Sequence, residues 1–317
     1  MELRRLRLLD ELARRGTVAA VAQALSYSPS SVSVQLAELE REAGAKLLRR
    51  AGRNVELTPA GQRLAAHAAA ALAADEAVQA ELAAIGADAP RGRLRVTIVQ
   101  TPALALLPGM LGRLAVTAPD LRVEVSQLET APALSDLRSR AVDLVVGIEY
   151  DPVPVPRHRD VDRQELLRED VLLVLHPDHP AVPSRGPVRL AATEHDAWAA
   201  GHVGTGQDAV VRNVCNRVGG FDPDIRHRSD DGLVQSALVA SGRAVTLLPA
   251  LVATAMPQVV ARRIREERLY RTVFTATRAS IAGAPAILAV REALARTARQ
   301  GAARRRDVEA LVPASRA

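Results

Sequence analysis

The sequence is poor in aromatic residues, in lysine and in cysteine. Only 2% of its 317 residues are aromatic, Lys46 is the sole lysine and Cys215 is the sole cysteine. A single cysteine excludes a disulfide within the chain and is typical of a reducing compartment. The hydrophobic content of 48% is that of a globular protein, and the length is enough for two or more domains. The net charge of +6 permits a polyanionic partner without requiring one.

A segment that would enter a membrane is also lacking. Charged residues run through the first ten positions, which excludes a signal peptide there. Two uncharged runs, 96–112 and 244–261, each contain two prolines. Both are short for a transmembrane helix, which needs about 20 apolar residues. We therefore expect a cytoplasmic protein without a membrane partner.

Residues 28–40, S-P-S-S-V-S-V-Q-L-A-E-L-E, are the most informative stretch. Ser28 is a typical N-cap residue, and Pro29 suits the first position of a helix. Val32, Leu36 and Leu39 recur at i, i+4 and i+7 and predict one buried stripe. The opposite face begins with small residues, which let a helix enter the major groove of DNA.

The preceding residues predict a partner helix. Gly16 and Thr17 precede a short apolar helix over 18–25, and residues 26–28 form a tight turn. Helix, turn and helix together are the helix-turn-helix unit. An ordinary helical hairpin in an enzyme has the same local pattern, so geometry alone leaves both interpretations open.

A basic hairpin is predicted to follow. Residues 46–50 and 54–57 can pair as a short wing around Gly52, and Lys46, Arg49, Arg50 and Arg53 make it positive. Beside a helix-turn-helix such a wing favours phosphate contact. The alternative is a solvated charged loop.

A long helix starts at Thr58-Pro59 and extends to about residue 85. Its apolar residues alternate in spacings of four and three, which favours pairing with a second copy, although the helix could instead pack on its own domain. The positions are Leu64, Ala68, Ala71, Val78, Leu82 and Ile85.

After a boundary at 87–90, strands and helices alternate, which predicts a parallel sheet covered by helices on both faces. A second, similar unit begins near residue 162, and the chain then returns to the first. We expect a cleft between two lobes, with ligands at the carboxyl ends of the strands. The tail after Arg299 is expected to be frayed and solvated.

The whole pattern resembles the LysR-type transcriptional regulators. The resemblance rests on L-R-R-L from Leu3, G-T-V-A-A-V-A-Q-A-L from Gly16, residues 28–40, A-G-A-K-L-L-R-R from Ala43 and G-R-N-V-E-L-T-P-A-G from Gly52. Residues 237–249 and 175–181 resemble the effector domain of the same family. The family usually has Gln at position 29, often Arg at 34 and usually Phe at 48. The first two departures place base contacts in question, and the third exchanges one core residue for another.

The fold class that follows is an α/β effector domain of two Rossmann-like lobes, similar to type 2 periplasmic binding proteins. An N-terminal winged helix-turn-helix domain and a long linker helix precede it. The expected domains are 1–57 for DNA binding, 58–87 for the linker and 91–317 for the effector domain. Lobe I covers about 91–161 and 268–317, and lobe II about 162–267.

Three sets of candidate residues follow. The DNA-binding set is Ser28, Pro29, Ser30, Ser33, Val34, Gln35, Arg49, Arg50 and Arg53. The effector-binding set is Thr101, Pro102, Glu129, Thr130, Gly147, His202, Gly204 and Thr205. The dimerisation set is Leu64, Ala68, Ala71, Val78 and Leu82.

Within the cleft each candidate has a simpler alternative. The Thr101 hydroxyl and nearby backbone N–H groups either hold an anion, or the residue serves as a plain N-cap. Glu129 either selects an amine or hydroxyl group over a carboxylate or is an exposed loop acid. The 201–205 loop, G-H-V-G-T, either binds ligand or is merely flexible.

The expected partners are double-stranded operator DNA, a small-molecule effector of unknown identity, further copies of the chain as a homodimer or homotetramer, and RNA polymerase. No cofactor or metal is expected, because His176, His179 and His195 lack neighbouring Cys or clustered carboxylates. No G-x-S-x-G, P-loop or G-x-G-x-x-G motif supports an enzyme. A solute-binding protein would share the two lobes but would need an export signal and would lack residues 1–57.

Overall fold

The N-terminal part is a three-helix core followed by a hairpin and one long helix. The structure is a computed structural model that describes residues 1–51, 54–85 and 89–311. It divides into two compact units, residues 1–87 and 88–317. The elements of the first unit are α1 (Leu3–Arg15), α2 (Val18–Leu25), α3 (Pro29–Ala43), β1 (Leu48–Ala51), β2 (Asn54–Leu57) and α4 (Pro59–Ala84).

Hydroxyl caps fix the starts of α2 and α3. Thr17 accepts from the Ala20 N–H at 3.2 Å and Ser28 from the Ser31 N–H at 3.1 Å. Such caps satisfy backbone donors that a helix start leaves without partners. The predicted stripes are buried in one core, which contains Leu6, Leu9, Leu12, Val21, Ala22, Val32, Leu36 and Leu39. The predicted winged helix-turn-helix fold is confirmed.

The second unit begins with the predicted alternation of strands and helices. The elements up to the chain's return are β3 (Gly92–Ile98), α5 (Gln100–Thr117), β4 (Leu121–Gln127), α6 (Thr130–Arg138), β5 (Leu144–Tyr150), β6 (Val161–Leu175), β7 (Ala197–Ala200), α7 (Gly206–Val214), β8 (Asp224–Arg228), α8 (Gly232–Ala240), β9 (Thr246–Pro249), α9 (Ala250–Ala253) and β10 (Val260–Arg262). The remaining elements are β11 (Leu269–Arg278), α10 (Pro285–Ala302) and β12 (Val308–Ala310).

The main sheet is mixed, whereas a parallel sheet was expected. β4, β3 and β5 are parallel neighbours, but β11 pairs antiparallel with both β5 and β6. The reason is the return of the chain, since β11 comes back into lobe I from the opposite end. The smaller sheet pairs β7 with β8 in parallel, and a bridge from Trp198 to Val245 connects it toward β9. Two α/β lobes result, as predicted.

β6 runs through both lobes without a break. Its residues 161–171 pair with β11, and residues 171–175 pair with β9 and β10. β6 therefore changes its partner strands near residue 171, within the strand. The sequence analysis instead placed the boundary between the lobes at residues 161 and 162. The exact limits of the lobes stay a prediction.

The prediction of a frayed tail after Arg299 is wrong for residues 300–311, whereas residues 312–317 lie outside the described residues. Residues 308–310 form β12, which pairs antiparallel with residues 167–169 of β6. The Arg305 guanidinium donates to the Ala250 carbonyl at 3.1 Å. Short tail strands carry little local pattern, so their order depends on an edge that only the folded sheet provides. No helix in the described ranges is long and apolar enough to span a membrane.

Candidate nucleic-acid interface and ligand cleft

The start of α3 presents a row of small hydroxyl groups to solvent. The Ser28 and Ser30 hydroxyls lie 3.0 Å apart, and the Ser33 hydroxyl donates to the Pro29 carbonyl at 2.9 Å. Ser28, Pro29, Ser30 and Ser33 are all exposed. A hydroxyl that donates locally retains lone pairs that accept. This face can therefore offer acceptors to another molecule without first breaking a fold-stabilising bond.

Two further α3 candidates differ in their surroundings. Val34 is 64% exposed, although its neighbours Val32 and Leu36 are buried. Gln35 is half-buried, and its carbonyl accepts from Arg5 Nε at 3.1 Å. Arg5 thus holds the Gln35 carbonyl, and the Gln35 amide nitrogen has no partner among the described residues.

The wing is an antiparallel hairpin of β1 and β2, as predicted. Arg50 is exposed, and Arg49 pairs with Glu56 across the hairpin at 2.8 Å. Arg53 lies outside the described residues. A pair between two exposed side chains contributes only about 0–1 kcal/mol, so Arg49 can exchange Glu56 for a phosphate at little cost.

Glu40 positions the wing, and the sequence analysis did not identify it as a candidate residue. Its carboxylate accepts from the Leu47 and Leu48 N–H groups at 2.8 and 3.1 Å and lies 3.5 Å from Lys46 Nζ. Burial opposes ionisation, but these backbone bonds and Lys46 outweigh it and lower the pKa of Glu40. Leu47 and Leu48 lie seven and eight positions after Glu40, beyond the end of α3, so no helix or hairpin spacing predicts these bonds.

The predicted dimer seam on α4 divides into two parts. A Cβ on Gly61 would clash with the Leu47 carbonyl oxygen, so α4 approaches the wing start very closely. Ala68 is fully buried in the unit's own core, and Leu64 and Ala71 pack against the same core. Ala68 is therefore wrong as a residue that meets a second copy. The exposed apolar stripe lies further along, with Val78, Leu82 and Ile85 exposed by 53%, 62% and 70%.

Thr101 carries an unsatisfied hydroxyl. α5 begins at Gln100 with Val99 as its N-cap, so Thr101 lies inside the first turn. The side chain is 7% exposed, and its hydroxyl has no hydrogen-bond partner within the described residues. The plain N-cap alternative is therefore wrong. Pro102 beside it is also buried.

The residues around Thr101 connect the two lobes. Gln100 Nε2 donates to Asp231 Oδ1 at 2.7 Å, and Gln100 Oε1 accepts from the Gly232 N–H at 3.2 Å. The Thr101 methyl lies 3.6 Å from the position of a Cβ on Gly232. Lobe I therefore meets the turn before α8, and Gln100, Asp231 and Gly232 belong to the cleft although the sequence reasoning missed them. The available signal was their position, since each follows a strand and precedes a helix.

Two predicted cleft residues serve the fold instead. The Thr130 hydroxyl is buried, donates to the Ile148 carbonyl at 3.3 Å and accepts from the Ile148 N–H at 3.0 Å. A Cβ on Gly147 would lie 2.7 Å from the Phe274 ring. Thr130 thus joins α6 to β5, and Gly147 makes room for a core aromatic. The Thr130 hydroxyl is therefore wrong as a group free to bond a ligand, whereas the place of Gly147 in the effector-binding set stays a prediction.

Glu129 lies at the same end of lobe I and remains a candidate effector-binding residue. It is half-buried, and within the described residues its carboxylate has no hydrogen-bond or ion-pair partner. Burial raises the pKa of Glu129, the charge of Asp230 raises it further, and Arg271 partly lowers it. Asp230 belongs to lobe II, where both of its carboxylate oxygens contact His202.

The 201–205 loop is ordered by internal bonds. The His202 N–H donates to Asp230 at 2.8 Å, and the His202 Nδ1 lies 2.9 Å from the same carboxylate. The Thr205 hydroxyl donates to the His202 carbonyl and accepts from the Asp208 N–H, so it is the N-cap of α7. Gly204 has a φ of 90°, which a glycine adopts without strain. The prediction that the Thr205 hydroxyl is free to donate to a ligand is therefore wrong. His202 and Asp230 form the rim of the cleft on the side of lobe II.

A buried ion pair lies beneath the cleft. Arg271 Nη2 is 2.5 Å from Glu169 Oε1, and both side chains are almost completely buried. The other oxygen of Glu169 accepts from the Leu251 N–H at 2.8 Å, which ties β6 to α9. Burial raises the pKa of Tyr150, whose ring lies 5.9 Å from the Arg271 guanidinium. Tyr150 also lies 3.5 Å from the position of a Cβ on Gly206 and so links β5 to α7.

Both units match families of bacterial regulators. Residues 3–62 match the bacterial regulatory helix-turn-helix protein, lysR family, and residues 87–299 match the LysR substrate binding domain. The small neutral protease regulatory protein of Streptomyces coelicolor is 32% identical over 77% of the chain and 76% of that protein. A probable hydrogen peroxide-inducible genes activator of Mycobacterium xenopi is 34% identical over 55% of the chain and 89% of that protein. A solved full-length OxyR variant of Pseudomonas aeruginosa has the same fold, with a TM-score of 0.64, 23% identity and coverage of 93% of this chain and 94% of that one.

Proposed function

Because this chain belongs to the LysR family and is a sequence-specific DNA-binding transcriptional regulator with an effector-binding domain, we propose which surfaces perform each task. The first face of α3 reads operator DNA. The observation that carries this proposal is the split character of α3, which buries Val32 and Leu36 while it exposes Ser30, Ser33 and Val34.

The chemistry of that face suits base edges. Ser30 and Ser33 can donate to or accept from any base, and the Val34 methyls fit a thymine methyl. The Gln35 amide nitrogen supplies a donor in a fixed orientation because Arg5 holds its carbonyl. Arg49 and Arg50 neutralise phosphates and fix the register of the helix. Arg53 has the same proposed role on sequence grounds alone.

The second unit binds a small-molecule effector between its lobes, close to Thr101 and Glu129. Binding there changes the free energy of lobe closure, and this coupling controls the DNA-binding units. The chain acts as a homodimer or homotetramer through the exposed stripe of α4, in the cytoplasm where operator DNA lies. No catalysis, cofactor or metal is part of the proposal, and contact with RNA polymerase stays a prediction.

A thiol-based peroxide response, as the name of the M. xenopi relative raises, does not fit this chain. Such a response needs an accessible thiol of low pKa. Cys215 is the only cysteine, it is buried, and burial raises the pKa of its thiol to about 12. The effector is therefore recognised by binding, not by oxidation of cysteine.

The DNA proposal is tested with Arg50→Ala and Ser33→Ala on an operator selected from genomic fragments. Loss of one phosphate contact should weaken all sequences alike and flatten the slope of log K against log salt by about 0.9. Ser33→Ala should instead change the ranking of operator variants at an unchanged slope. Arg226→Ala removes an exposed arginine of the second unit, whose partner is Asp224, and serves as the control.

The two variants must behave differently for the assignment to stand. An unchanged slope in Arg50→Ala contradicts the role of the wing. Equal losses on every operator variant in Ser33→Ala contradict base reading by α3.

A further inference from the structure

A groove of about 580 Å³ lies between α5 and α10 on lobe I. Its lining comes from residues 108–117 of α5 and 289–296 of α10, and it includes none of the cleft residues described above. Small-molecule sites commonly have volumes of about 300–1,000 Å³. The groove is therefore large enough for an organic ligand, and the function proposed above leaves it unused.

α5 places its poorest helix formers along this groove. Pro108, Gly109 and Gly112 all lie inside the helix, and all three line the groove. Proline and glycine are the residues that most destabilise a helix interior, so their presence needs a reason. Gly109 has one in the packing of the two helices, because a Cβ there would lie 2.6 Å from Thr297 Cγ2.

Gly112 has no such packing reason. A Cβ at this position would meet no atom of the described chain within 4 Å, and the residue is exposed. Alanine would therefore fit without a clash and would favour the helix. The space over Gly112 is open, and what a side chain there would exclude is a molecule in the groove.

Arg113 borders the same groove and lacks an acid. Its side chain is half-buried, and its Nε–H is buried without a hydrogen-bond partner in the described chain. No ion pair joins Arg113 to a carboxylate among the described residues. Buried donors in native proteins are nearly always satisfied, so this one marks a place for an acceptor from another molecule.

The remaining charged groups of the groove leave an excess of positive charge. Glu292 and Arg296 line the α10 side. Arg296 Nε lies 2.6 Å from Glu292 Oε1, and Arg299 Nη2 lies 3.6 Å from the same oxygen. With Arg113, three guanidinium groups accompany one carboxylate. Because Arg296 and Glu292 are both about half exposed, their pair is weak and Arg296 can also turn toward an anion.

We propose that this groove is a second ligand site, separate from the cleft, and that it binds a small carboxylate with an apolar body. The carboxylate pairs with the Arg113 guanidinium, whose planar donors match two carboxylate oxygens. The apolar body covers Gly112 and packs against Val116 and Ala289, which line the groove. An amine would meet an excess of like charge. The inference does not depend on the DNA-binding or effector-binding surfaces proposed above.

The test uses 2-naphthoate and its neutral isostere 2-naphthamide, with calorimetry on the full-length protein. 2-Naphthoate should bind at least about tenfold more tightly than the amide, because only the carboxylate makes charge-assisted bonds. Arg113→Gln should weaken 2-naphthoate by about 10- to 150-fold, which corresponds to one lost charge-assisted hydrogen bond. Arg226→Gln removes an exposed arginine of lobe II, whose partner is Asp224, and should bind 2-naphthoate as the unaltered protein does.

Gly112→Phe tests the open space itself. The added ring would fill the groove, so binding of 2-naphthoate should be lost. Gly301→Phe places the same side chain on an exposed glycine of α10 outside the groove, where a Cβ also meets nothing within 4 Å, and should leave binding unchanged. Trp198 fluorescence in urea should show both variants at least as stable as the unaltered protein, because phenylalanine is a better helix former than glycine.

Thr101→Val distinguishes the groove from the cleft. Binding of 2-naphthoate that persists in Thr101→Val and is lost or weakened in Gly112→Phe and Arg113→Gln supports the proposal. Binding that is lost in Thr101→Val and retained in the two groove variants assigns the probe to the cleft and overturns it. Equal binding of the amide, or no binding of 2-naphthoate to the unaltered protein, overturns it as well. If in that last case Gly112→Phe dissociates the oligomer in sedimentation, the groove is instead a contact between copies of the chain.

Discussion

The start of α3 and the start of α5 look alike in sequence and differ in the folded chain. Ser28-Pro29 and Thr101-Pro102 both combine a capping residue with a proline. Ser28 caps a helix that begins at its proline, and it is exposed. In contrast, α5 begins at Gln100, two residues before its proline, and the Thr101 hydroxyl is buried without a partner in the described chain. The first hydroxyl stabilises a helix that faces outward. The second is unsatisfied in a cleft, which is the property of a group that can bind a ligand.

The same contrast extends to the surroundings of each site. On α3 the polar groups face solvent, and the apolar stripe beneath them holds the helix in place. In the cleft most polar groups are bonded to one another, as in the pairs of His202 with Asp230 and Gln100 with Asp231. Thr101 and Glu129 stand out because that network leaves both without partners in the described chain. Substitution of a hydrogen-bonded group and of an unsatisfied group should therefore have different effects.

The largest effect is expected from Arg271→Ala, which breaks the satisfied base of the cleft. Removal of one partner strands the Glu169 carboxylate in the interior, and this should lower the free energy of unfolding by about 3–5 kcal/mol. Trp198 is the only tryptophan and is fully buried in the second unit, so its fluorescence follows the unfolding of that unit in urea.

Arg226→Ala, which removes the exposed pair with Asp224, is the control and should cost no more than about 1 kcal/mol. A loss below about 1 kcal/mol in Arg271→Ala as well would show that the buried pair is not what holds β6 and β11 together under the cleft.

The next effect concerns the exposed end of α4. Val78→Glu with Leu82→Glu places two charges on the predicted contact between copies, where their burial would cost at least about 3 kcal/mol, or more than 100-fold in the dimer Kd. Sedimentation should show monomers at concentrations where the unaltered protein is a dimer. Ala191→Glu with Ala192→Glu adds the same charge at exposed positions of the second unit and should stay dimeric. A dimer that survives the α4 changes would refute the seam.

Local patterns carried more of the fold than of the cleft. The stripe of Val32, Leu36 and Leu39 lies within one helix, so its period was readable from sequence and its burial is confirmed. The bond from Gln100 to Asp231 spans 131 positions, and the bonds from Glu40 to the wing cross the end of a helix. No spacing rule covers such pairs, since the fold alone brings them together.

The polar cleft candidates show that similar positions in the sequence can have different bonding in the fold. Thr101, Thr130 and Thr205 all follow a strand and stand at a helix start, so sequence placed them together. Thr130 bonds to Ile148 and Thr205 caps α7, whereas Thr101 bonds to nothing described. Which hydroxyl remains available depends on partners that arrive from distant strands, and residue type gives no sign of it.

The most direct test compares Thr101→Val with Thr205→Val by urea unfolding, with Trp198 fluorescence as the common reporter. Thr205 is a bonded N-cap, and its loss should lower the free energy of unfolding by about 1 kcal/mol. Thr101 has an unsatisfied buried hydroxyl, and valine of nearly the same shape removes that penalty. The account therefore predicts that Thr101→Val is as stable as the unaltered protein or more stable. A loss of about 1 kcal/mol or more in Thr101→Val, equal to that of Thr205→Val, would contradict it, because the hydroxyl would then already have a partner within the fold.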